Sequence, residues 1–401
     1  MDVLASIDSQ QSYPETGQTI HTIEPGTKKT KRRAWIGKLL ITVFSLLICM
    51  EGGSRLVLWI NPLRRRVTGF DDASWRLNWV RQRKAHKEIN GQYAAYHPTR
   101  GWALRPDIRD MSVFEGRILN TNSKGLRGKT EYNYQRTAGK QRILVLGDSF
   151  TFGTEVSDDE TYSHYLESAL PNIEVLNLGV QGYGHDQMLL YLKEEGVKYH
   201  PDVVILGFDF PDAYRNLLTF FGYAKPEFEM AAGGLQLTNV PVPTPDQVLA
   251  EVPYRPEALD LAVMLRERLF FRFGMTEKKA KNLTRSILDE MIAAARKAGA
   301  TPVLVYLPIL GELLDSSASM NAGERYLYDY CQNRAVSCLF LRPRFVGEIR
   351  KGVRFVGKGG HWNPEAHRRA AQGIADFLRE CGLIQNAPTC EAGLRTHVGA
   401  R

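Results

Sequence analysis

Cysteine is scarce in this chain, and its spacing does not match a metal site. Five cysteines occur among 401 residues, and none has metal-site spacing with a histidine, which argues against a zinc finger. No RNA-binding signature and no internal repeat is visible either, so the sequence does not indicate an RNA-binding module or a repeat protein.

Positive charge is in excess but unevenly placed. The net charge is +8, and the segment from Arg55 to Asp110 holds twelve Lys and Arg against five Asp and Glu. Because this surplus directly follows an apolar stretch, it indicates contact with a membrane surface or an anionic polymer rather than with nucleic acid.

The apolar stretch itself, Leu39 to Met50, has only twelve residues, whereas a membrane span usually needs about 20. Extending it over residues 34–60 reaches that length if Lys38 snorkels to the interface. A signal peptide fits poorly, because the polar lead is long and no A-x-A site follows. A lipoprotein signal also fits poorly, because its cysteine is preceded by a small residue and Cys49 is not. A buried helix is the other alternative, and we predict one membrane anchor.

The flanking charges predict the orientation of this anchor. Five Lys and Arg lie between Lys28 and Arg33, against Arg64, Arg65 and Arg66 beyond the span. The bias predicts a cytoplasmic N-terminus, with residues 1–33 as a disordered tail and the rest of the chain exported.

The cysteines downstream of the anchor are even in number, as an exported protein would have them. The sequence-near pairs, Cys331–Cys338 and Cys381–Cys390, are the simplest disulfides. Four cysteines allow three connectivities, and four buried thiols are the alternative.

The rest of the chain divides into regions that differ in their pattern of apolar and aromatic residues. Residues 64–140, with scattered aromatic side chains, are expected to form an accessory juxtamembrane layer, and residues 385–401 a C-terminal tail. Within residues 141–384, apolar strand-like runs alternate with amphipathic helices, which predicts an α/β fold with a mostly parallel sheet of five strands. The predicted strands are Arg142–Leu146, Glu174–Leu178, Asp202–Gly207, Thr301–Leu307 and Ser337–Leu341, and the predicted helices are 161–170, 185–196, 283–299, 321–334 and 364–380. An insertion over about 217–280 interrupts the alternation and is a plausible lid or substrate-selecting element.

The first candidate catalytic residue is Ser149. It lies in Gly147-Asp148-Ser149, a tight turn after the first apolar strand, and the edge of an α/β sheet where strands end is where ligands bind. Backbone N–H groups at such a turn suit developing negative charge.

A serine hydroxyl needs a base, and His361 has the most suggestive setting of the nine histidines. It precedes a helix whose predicted N-cap is Asn363 and whose first position is Pro364. By contrast, His367 is expected to be a packing or surface residue. The other candidates, His164, His185 and His200, are expected to be surface histidines.

These residues stand in three sequence blocks that resemble the SGNH (GDSL-type) hydrolase family. The blocks are Gly147-Asp148-Ser149-Phe-Thr-Phe-Gly153, Asn177-Leu-Gly-Val-Gln-Gly182-Tyr-Gly-His-Asp-Gln187 and Gly360-His361-Trp-Asn363, and the similarity extends from about Asn122 to Leu378. The resemblance implies a flavodoxin-like three-layer fold, with Ser149 as nucleophile, His361 as base, and the N–H groups of Ser149 and Gly182 as oxyanion donors.

Two family positions are occupied differently in this chain. In the third block, Pro211 stands where we place the family's oxyanion asparagine, and Asn216 is a weak candidate to substitute for it. The family's acid precedes the histidine by two or three residues, and here those positions are Gly359 and Lys358. A backbone carbonyl or a distant carboxylate, such as Asp209 or Asp212, is the alternative partner of the imidazole.

The resemblance implies a serine esterase that needs neither a metal nor an organic cofactor. The N-terminal anchor and the loop before the first block also resemble those of membrane-tethered bacterial members. This implies a single-pass inner-membrane protein with its catalytic domain in the periplasm or outside the cell. Its substrate is expected to be an ester, such as an O-acetyl group of an envelope or extracellular polysaccharide, a lipid or a small ester. The alternatives are an O-acyltransferase with the same residues, or a catalytically degenerate domain that binds polysaccharide or acts as a scaffold.

Overall fold

A computed structural model of the protein describes residues 27–83, 89, 91–315, 317, 319–384 and 396–397. Most of the predicted N-terminal tail lies outside these residues, and so does the predicted C-terminal tail apart from 396–397. The predicted Cys381–Cys390 pair also falls outside them, because Cys390 does.

Helices and strands alternate through most of the described chain. The helices are α1 (Thr27–Trp59), α2 (Asn61–Val67), α3 (Asp72–Arg83), α4 (Ser149–Phe152), α5 (Tyr162–Ala169), α6 (His185–Glu194), α7 (Pro211–Arg215), α8 (Pro245–Glu251), α9 (Glu257–Arg272), α10 (Met275–Lys297), α11 (Leu310–Leu313), α12 (Ala322–Arg334), α13 (Arg342–Ile349) and α14 (Pro364–Glu380). The strands are β1 (Ala94–His97), β2 (Gly101–Leu104), β3 (Met111–Val113), β4 (Arg117–Leu119), β5 (Gln141–Gly147), β6 (Ile173–Gly179), β7 (Val203–Phe208), β8 (Phe220–Phe221), β9 (Tyr223–Ala224), β10 (Glu227–Ala231), β11 (Gly234–Thr238), β12 (Thr301–Tyr306), β13 (Ser337–Phe340) and β14 (Thr396–His397).

A parallel sheet with five main strands forms the centre of the α/β region. Its order is β13-β12-β7-β5-β6, and the two-residue β14 pairs with β13 at one edge. Numbered along the chain, the five main strands run 2-1-3-4-5, which is the flavodoxin-like order. The predicted α/β fold with a mostly parallel five-stranded sheet is therefore confirmed.

The sheet is covered on both sides, which explains its uninterrupted apolar strands. One face packs in a cluster with α6, α10 and α12, and the other in a cluster with α5, α13 and α14. Helix α14 shows how this follows from sequence: Ala366, Ala370, Ile374 and Phe377 recur at helical spacing and are all buried.

The N-terminal region packs on this core. Trp79, Tyr93, Trp102 and Leu119 share the hydrophobic cluster of β5 and β6, so the layer before residue 141 is joined to the α/β region through apolar contacts. Before it, α1 contains a stretch, Arg32–Trp59, that is long and apolar enough to cross a membrane by length and composition.

The insertion contains more helix than the sequence predicts. The insertion holds the antiparallel hairpin β10–β11, and α8 and α9 are not predicted, while α10 begins eight residues before the predicted helix at 283. The first turns of α10 are polar (Thr-Glu-Lys-Lys), and α9 carries apolar residues on both its inner and outer faces. Neither segment therefore has the one-sided periodicity that predicts a helix.

A disulfide joins Cys331 at the end of α12 to Cys338 in β13, with Cα atoms 6.4 Å apart. The two residues flank the tight turn between these elements, and both are buried. This is the first of the two sequence-near pairs considered above.

Candidate active site

Ser149 begins α4 directly after β5 ends at Gly147, so its hydroxyl lies at the carboxyl edge of the sheet. Asp148 is the N-cap of this short helix, and its Oδ1 accepts the N–H of Phe150 at 2.9 Å. The Ser149 hydroxyl also lies 3.1 Å from Oδ2 of Asp148. Ser149 is 5% exposed, so most of the residue is buried while a small part of it remains accessible to solvent.

His361 lies next to Ser149 in space, although 212 positions separate them in sequence. Its Nε2 lies 3.0 Å from the serine Oγ, within the hydrogen-bond distance expected between a base and its nucleophile. The histidine stands in a turn before α14, whose N-cap is Asn363 and whose first residue is Pro364, as the sequence predicts. The structure therefore brings together the two residues that the sequence singled out.

The imidazole of His361 is suited to accept a proton. Burial lowers its pKa below the ordinary value of a histidine, although the carboxylates of Asp148 and Glu155 act in the opposite direction. The ring is therefore neutral near pH 7, which is the protonation state that a general base requires.

Glu155 holds the turn that carries His361. One carboxylate oxygen accepts the N–H of His361 at 3.0 Å, and the other accepts the N–H of Gly359. A Cβ atom on Gly359 would lie 2.9 Å from the Glu155 carboxyl carbon, so a side chain at this position would require the Glu155 carboxylate to move. The carboxylate of Glu155 thus lies beside Gly359, one of the two positions at which the SGNH family carries its acid.

A buried ionic network supports the Ser149 turn from behind. Arg215 Nη1 lies 3.1 Å from Oδ2 of Asp148 and also bonds to Asp212. Burial, followed by the charge of Asp148, raises the pKa of Asp209 to about 8, and burial raises the pKa of Asp212 well above its usual value. For Asp148, burial is the largest effect and acts to raise the pKa, but Arg215, the N–H of Phe150 and His361 together outweigh it, and the pKa is lowered. The network therefore contains one principal ion pair, Asp148–Arg215, and two carboxyl groups that favour the protonated form.

Oxygen atoms of the three carboxyl groups in this network lie within 4.8 Å of one another, a spacing that a metal ion could use. However, the guanidinium of Arg215 already bonds to two of them and supplies the positive charge. The cluster is better described as an ion-pair network under the Ser149 turn.

The loop that carries Gly182 lies beside the Ser149 turn. The N–H of Val180 donates to the carbonyl of Gly147 at 3.1 Å, and Gly182 follows two residues later with φ of 81°, a left-handed conformation that favours glycine. Trp102 of β2 secures the loop by donating its Nε1–H to the carbonyl of Gln181 at 3.1 Å. The accessory layer thus contributes to the placement of the second block.

The structure contradicts the weak assignment of Asn216 to the oxyanion site. Asn216 is fully buried, and its amide nitrogen contacts Thr284 Oγ1 at 2.8 Å and His185 Nδ1 at 3.2 Å. Its donors are therefore engaged in the interior and are not directed at Ser149. Pro211 is the first residue of α7, where its missing N–H costs nothing.

The other histidines considered in the sequence have structural environments. His367 is buried, accepts the N–H of Tyr162 at 3.2 Å and has its pKa lowered to about 3 by burial. The expectation that His185 is a surface residue is wrong: it is fully buried against Phe208, and burial lowers its pKa to about 3. His164 and His200 are exposed, as expected.

Sequence reasoning did not identify Glu155 or Arg215. Glu155 stands only six residues after Ser149, and the three glycines at 357, 359 and 360 signal that something approaches the His361 turn closely. Nothing in the sequence indicates which carboxylate that is. Nothing in the sequence indicates that Arg215 is buried, because one arginine in a polar segment is most often a surface residue.

Comparison with known proteins yields structural likeness only. No family profile matches the chain, and no curated protein matches it. Among solved structures, it is similar to a lipolytic protein of the G-D-S-L family from Veillonella parvula (13% identity, 59% of this chain and 97% of that one, TM-score 0.36). It is also similar to an acetyl xylan esterase (13% identity, 59% and 99%, TM-score 0.36) and to a two-domain esterase active on acetylated mannans (12% identity, 63% and 53%, TM-score 0.38).

Identities and TM-scores this low carry no weight for function, so the assignment depends on the site itself. The strand order, the serine turn after the first strand and the histidine before the last helix have all been located in the structure. In fold and in the order of its sequence blocks, the chain is SGNH-like.

Proposed function

We propose that the protein is a serine ester hydrolase of the SGNH type, with Ser149 as nucleophile and His361 as general base. The observation that carries this proposal is the distance of 3.0 Å between His361 Nε2 and Ser149 Oγ at the carboxyl edge of the sheet. The lowered pKa of His361 supports it, because a neutral ring can take the serine proton.

In the proposed reaction, Ser149 Oγ attacks the ester carbonyl carbon while His361 Nε2 takes the hydroxyl proton. The N–H groups of Ser149 and Gly182 stabilise the oxyanion of the tetrahedral intermediate. As the intermediate collapses, the C–O bond to the alcohol breaks and His361 returns the proton to the leaving oxygen. Water then attacks the acyl-serine by the same path, which releases the acid and restores Ser149.

Glu155 is proposed as the positioning residue that takes over the task of the missing acid. It does so through the backbone, by binding the N–H groups of Gly359 and His361, and through its negative charge, which favours the protonated imidazole. In most serine hydrolases a carboxylate on the second ring nitrogen both orients the histidine and stabilises its charged form. Here the same two effects come from a residue that follows the nucleophile in sequence.

The proposed substrate is an acyl ester, with O-acetyl groups of an envelope or extracellular polysaccharide as the preferred class. We propose that α1 anchors the chain in a membrane with its N-terminus in the cytoplasm, which would place Ser149 on the exported side. The apolar stretch of α1, the basic residues before it and the disulfide between Cys331 and Cys338 support this placement.

Labelling with a fluorophosphonate, which reacts with activated serines, tests the chemistry without knowledge of the substrate. The full-length protein in detergent should be labelled, and Ser149→Ala and His361→Ala should both lose the label. The matched control is His164→Ala, which removes an exposed histidine and should label like the wild type. A folded wild type that takes no label would refute the hydrolase proposal and favour the binding or scaffold alternative.

A further inference from the structure

Helix α9 presents apolar side chains to the outside of the protein. Leu259, Leu265 and Leu269 are 52%, 45% and 54% exposed, and Ala262 between them is exposed as well. Their spacing of three or four residues places them in one stripe, opposite the buried Met264. A helix on the surface of a soluble protein normally turns such a stripe toward the core, so an outward stripe indicates an apolar partner.

The position of α9 is fixed by the end of the proposed anchor. The carboxylate of Glu51 in α1 accepts the N–H groups of Glu257 and Ala258, at 3.1 and 3.0 Å, and so caps the N-terminus of α9. Two turns further along each helix, Met264 packs in one apolar cluster with Leu58. Helix α9 therefore runs beside the last turns of α1, where the apolar stretch of the anchor ends.

The surroundings of the stripe match the chemistry of a bilayer surface. On α1, Leu56 and Trp59 are 54% and 75% exposed, and they extend the apolar surface beside α9. Exposed arginines stand next to it, and tryptophan and arginine are both favoured at the level of lipid headgroups. These arginines are Arg65 and Arg66 on α2 and Arg266, Arg268 and Arg272 on α9.

We propose that the outer stripe of α9 faces the lipid on the exported side of the bilayer that α1 spans, alongside residues 51–59 of α1, with the arginines near its C-terminal end toward anionic headgroups. The inference rests on the proposed anchor role of α1. A catalytic domain that is held by α1 alone can tilt relative to the membrane. A second helix in contact with the lipid restricts that tilt. Because α10 follows α9 and packs against α6 and α7, this restriction extends to the elements that carry the second and third blocks.

Spin-label accessibility in full-length protein tests the proposal. Nitroxides would be attached at Leu265→Cys and Leu269→Cys, in nanodiscs of phosphatidylethanolamine and phosphatidylglycerol. The background would carry serine at Cys49, Cys381 and Cys390. A label at Leu46→Cys in α1 gives the membrane reference, and a label at Lys351→Cys, whose side chain is 71% exposed, gives the water reference. Collision with oxygen, which concentrates in lipid, is compared with collision with a water-soluble nickel chelate.

The expected result is an oxygen-to-nickel ratio at 265 and 269 several-fold above that at 351 and approaching that at 46. A high ratio at 46 with a water-like ratio at 265 and 269 would overturn the α9 proposal and leave the anchor intact. A water-like ratio at 46 would overturn both. Protection from both reagents together with dipolar broadening between labels would instead show that a second copy of the chain covers the stripe.

Discussion

Replacing Glu155 with glutamine separates its charge from its shape. Glutamine keeps one oxygen acceptor for the turn of His361 but replaces the other oxygen with an amide donor, so one of the two bonds to Gly359 and His361 is lost. A hydrogen bond to a charged group contributes about 1.5–3 kcal/mol. Since about 1.4 kcal/mol corresponds to a tenfold change in rate, we expect kcat/KM to fall roughly 10- to 100-fold.

The pH dependence distinguishes positioning from a purely structural role. His361 acts as a base only when it is neutral, and its pKa lies below 6.5 because burial lowers it. In the wild type, kcat/KM should therefore rise with pH and reach its plateau at a lower pH than an ordinary histidine base would give. Glu155 raises the pKa of His361, so Glu155→Gln should move this acidic limb to still lower pH.

The assay is hydrolysis of p-nitrophenyl acetate by the full-length enzyme, with circular dichroism to confirm folding. The matched control is Glu115→Gln, which removes a mostly exposed carboxylate that pairs with Lys358 in the same turn. This control should stay within about twofold of the wild type, because exposed ion pairs contribute little. If Glu155→Gln keeps both the wild-type kcat/KM and the wild-type acidic limb, Glu155 is not a positioning residue.

A rescue variant tests whether the location of the carboxylate is what matters. In Glu155→Ala the space beside Gly359 is open, and the backbone of Gly359 lies outside the left-handed region, so a side chain there is not strained. The double variant E155A/G359D restores a carboxylate two residues before His361. We expect it to recover part of the activity lost in Glu155→Ala, and no recovery in a folded double variant would argue that the backbone bonds, rather than the charge, carry the effect.

Two further predictions concern stability. Arg215→Met leaves Asp148 ionised and unpaired in the interior and should lower the free energy of unfolding by about 3–5 kcal/mol in urea titrations, whereas Lys351→Met on the surface should change it by less than about 0.5 kcal/mol. Equal values for the two would disprove the buried ion pair. Reduction of the Cys331–Cys338 disulfide, which closes a loop with a sequence separation of 7, should cost roughly 2–3 kcal/mol and leave the C331A/C338A variant unaffected. Identical unfolding of the wild type with and without reductant would show that the bond does not form.

The sequence by itself determined the central sheet and the candidate catalytic pair. Buried parallel strands need continuous apolar runs, so the five main strands were predicted within one or two residues of their observed ends. Ser149 and His361 could be named because each stands beside a local signal: a Gly-Asp turn after a strand, and an Asn-Pro helix start. Such signals depend only on neighbouring residues, so they can be recognised without a structure.

Only the tertiary structure decided which residues that are distant in sequence contact one another. That Glu155 fills the space left by Gly359, that Arg215 pairs with Asp148, and that Asn216 turns its amide toward Thr284 all follow from how separate loops pack together. The same is true of α9, whose apolar stripe points outward because Met264 on its other face packs with Leu58 and Glu51 caps its N-terminus. Charge and packing partners are set by distances in space, and local sequence patterns contain no information about those distances.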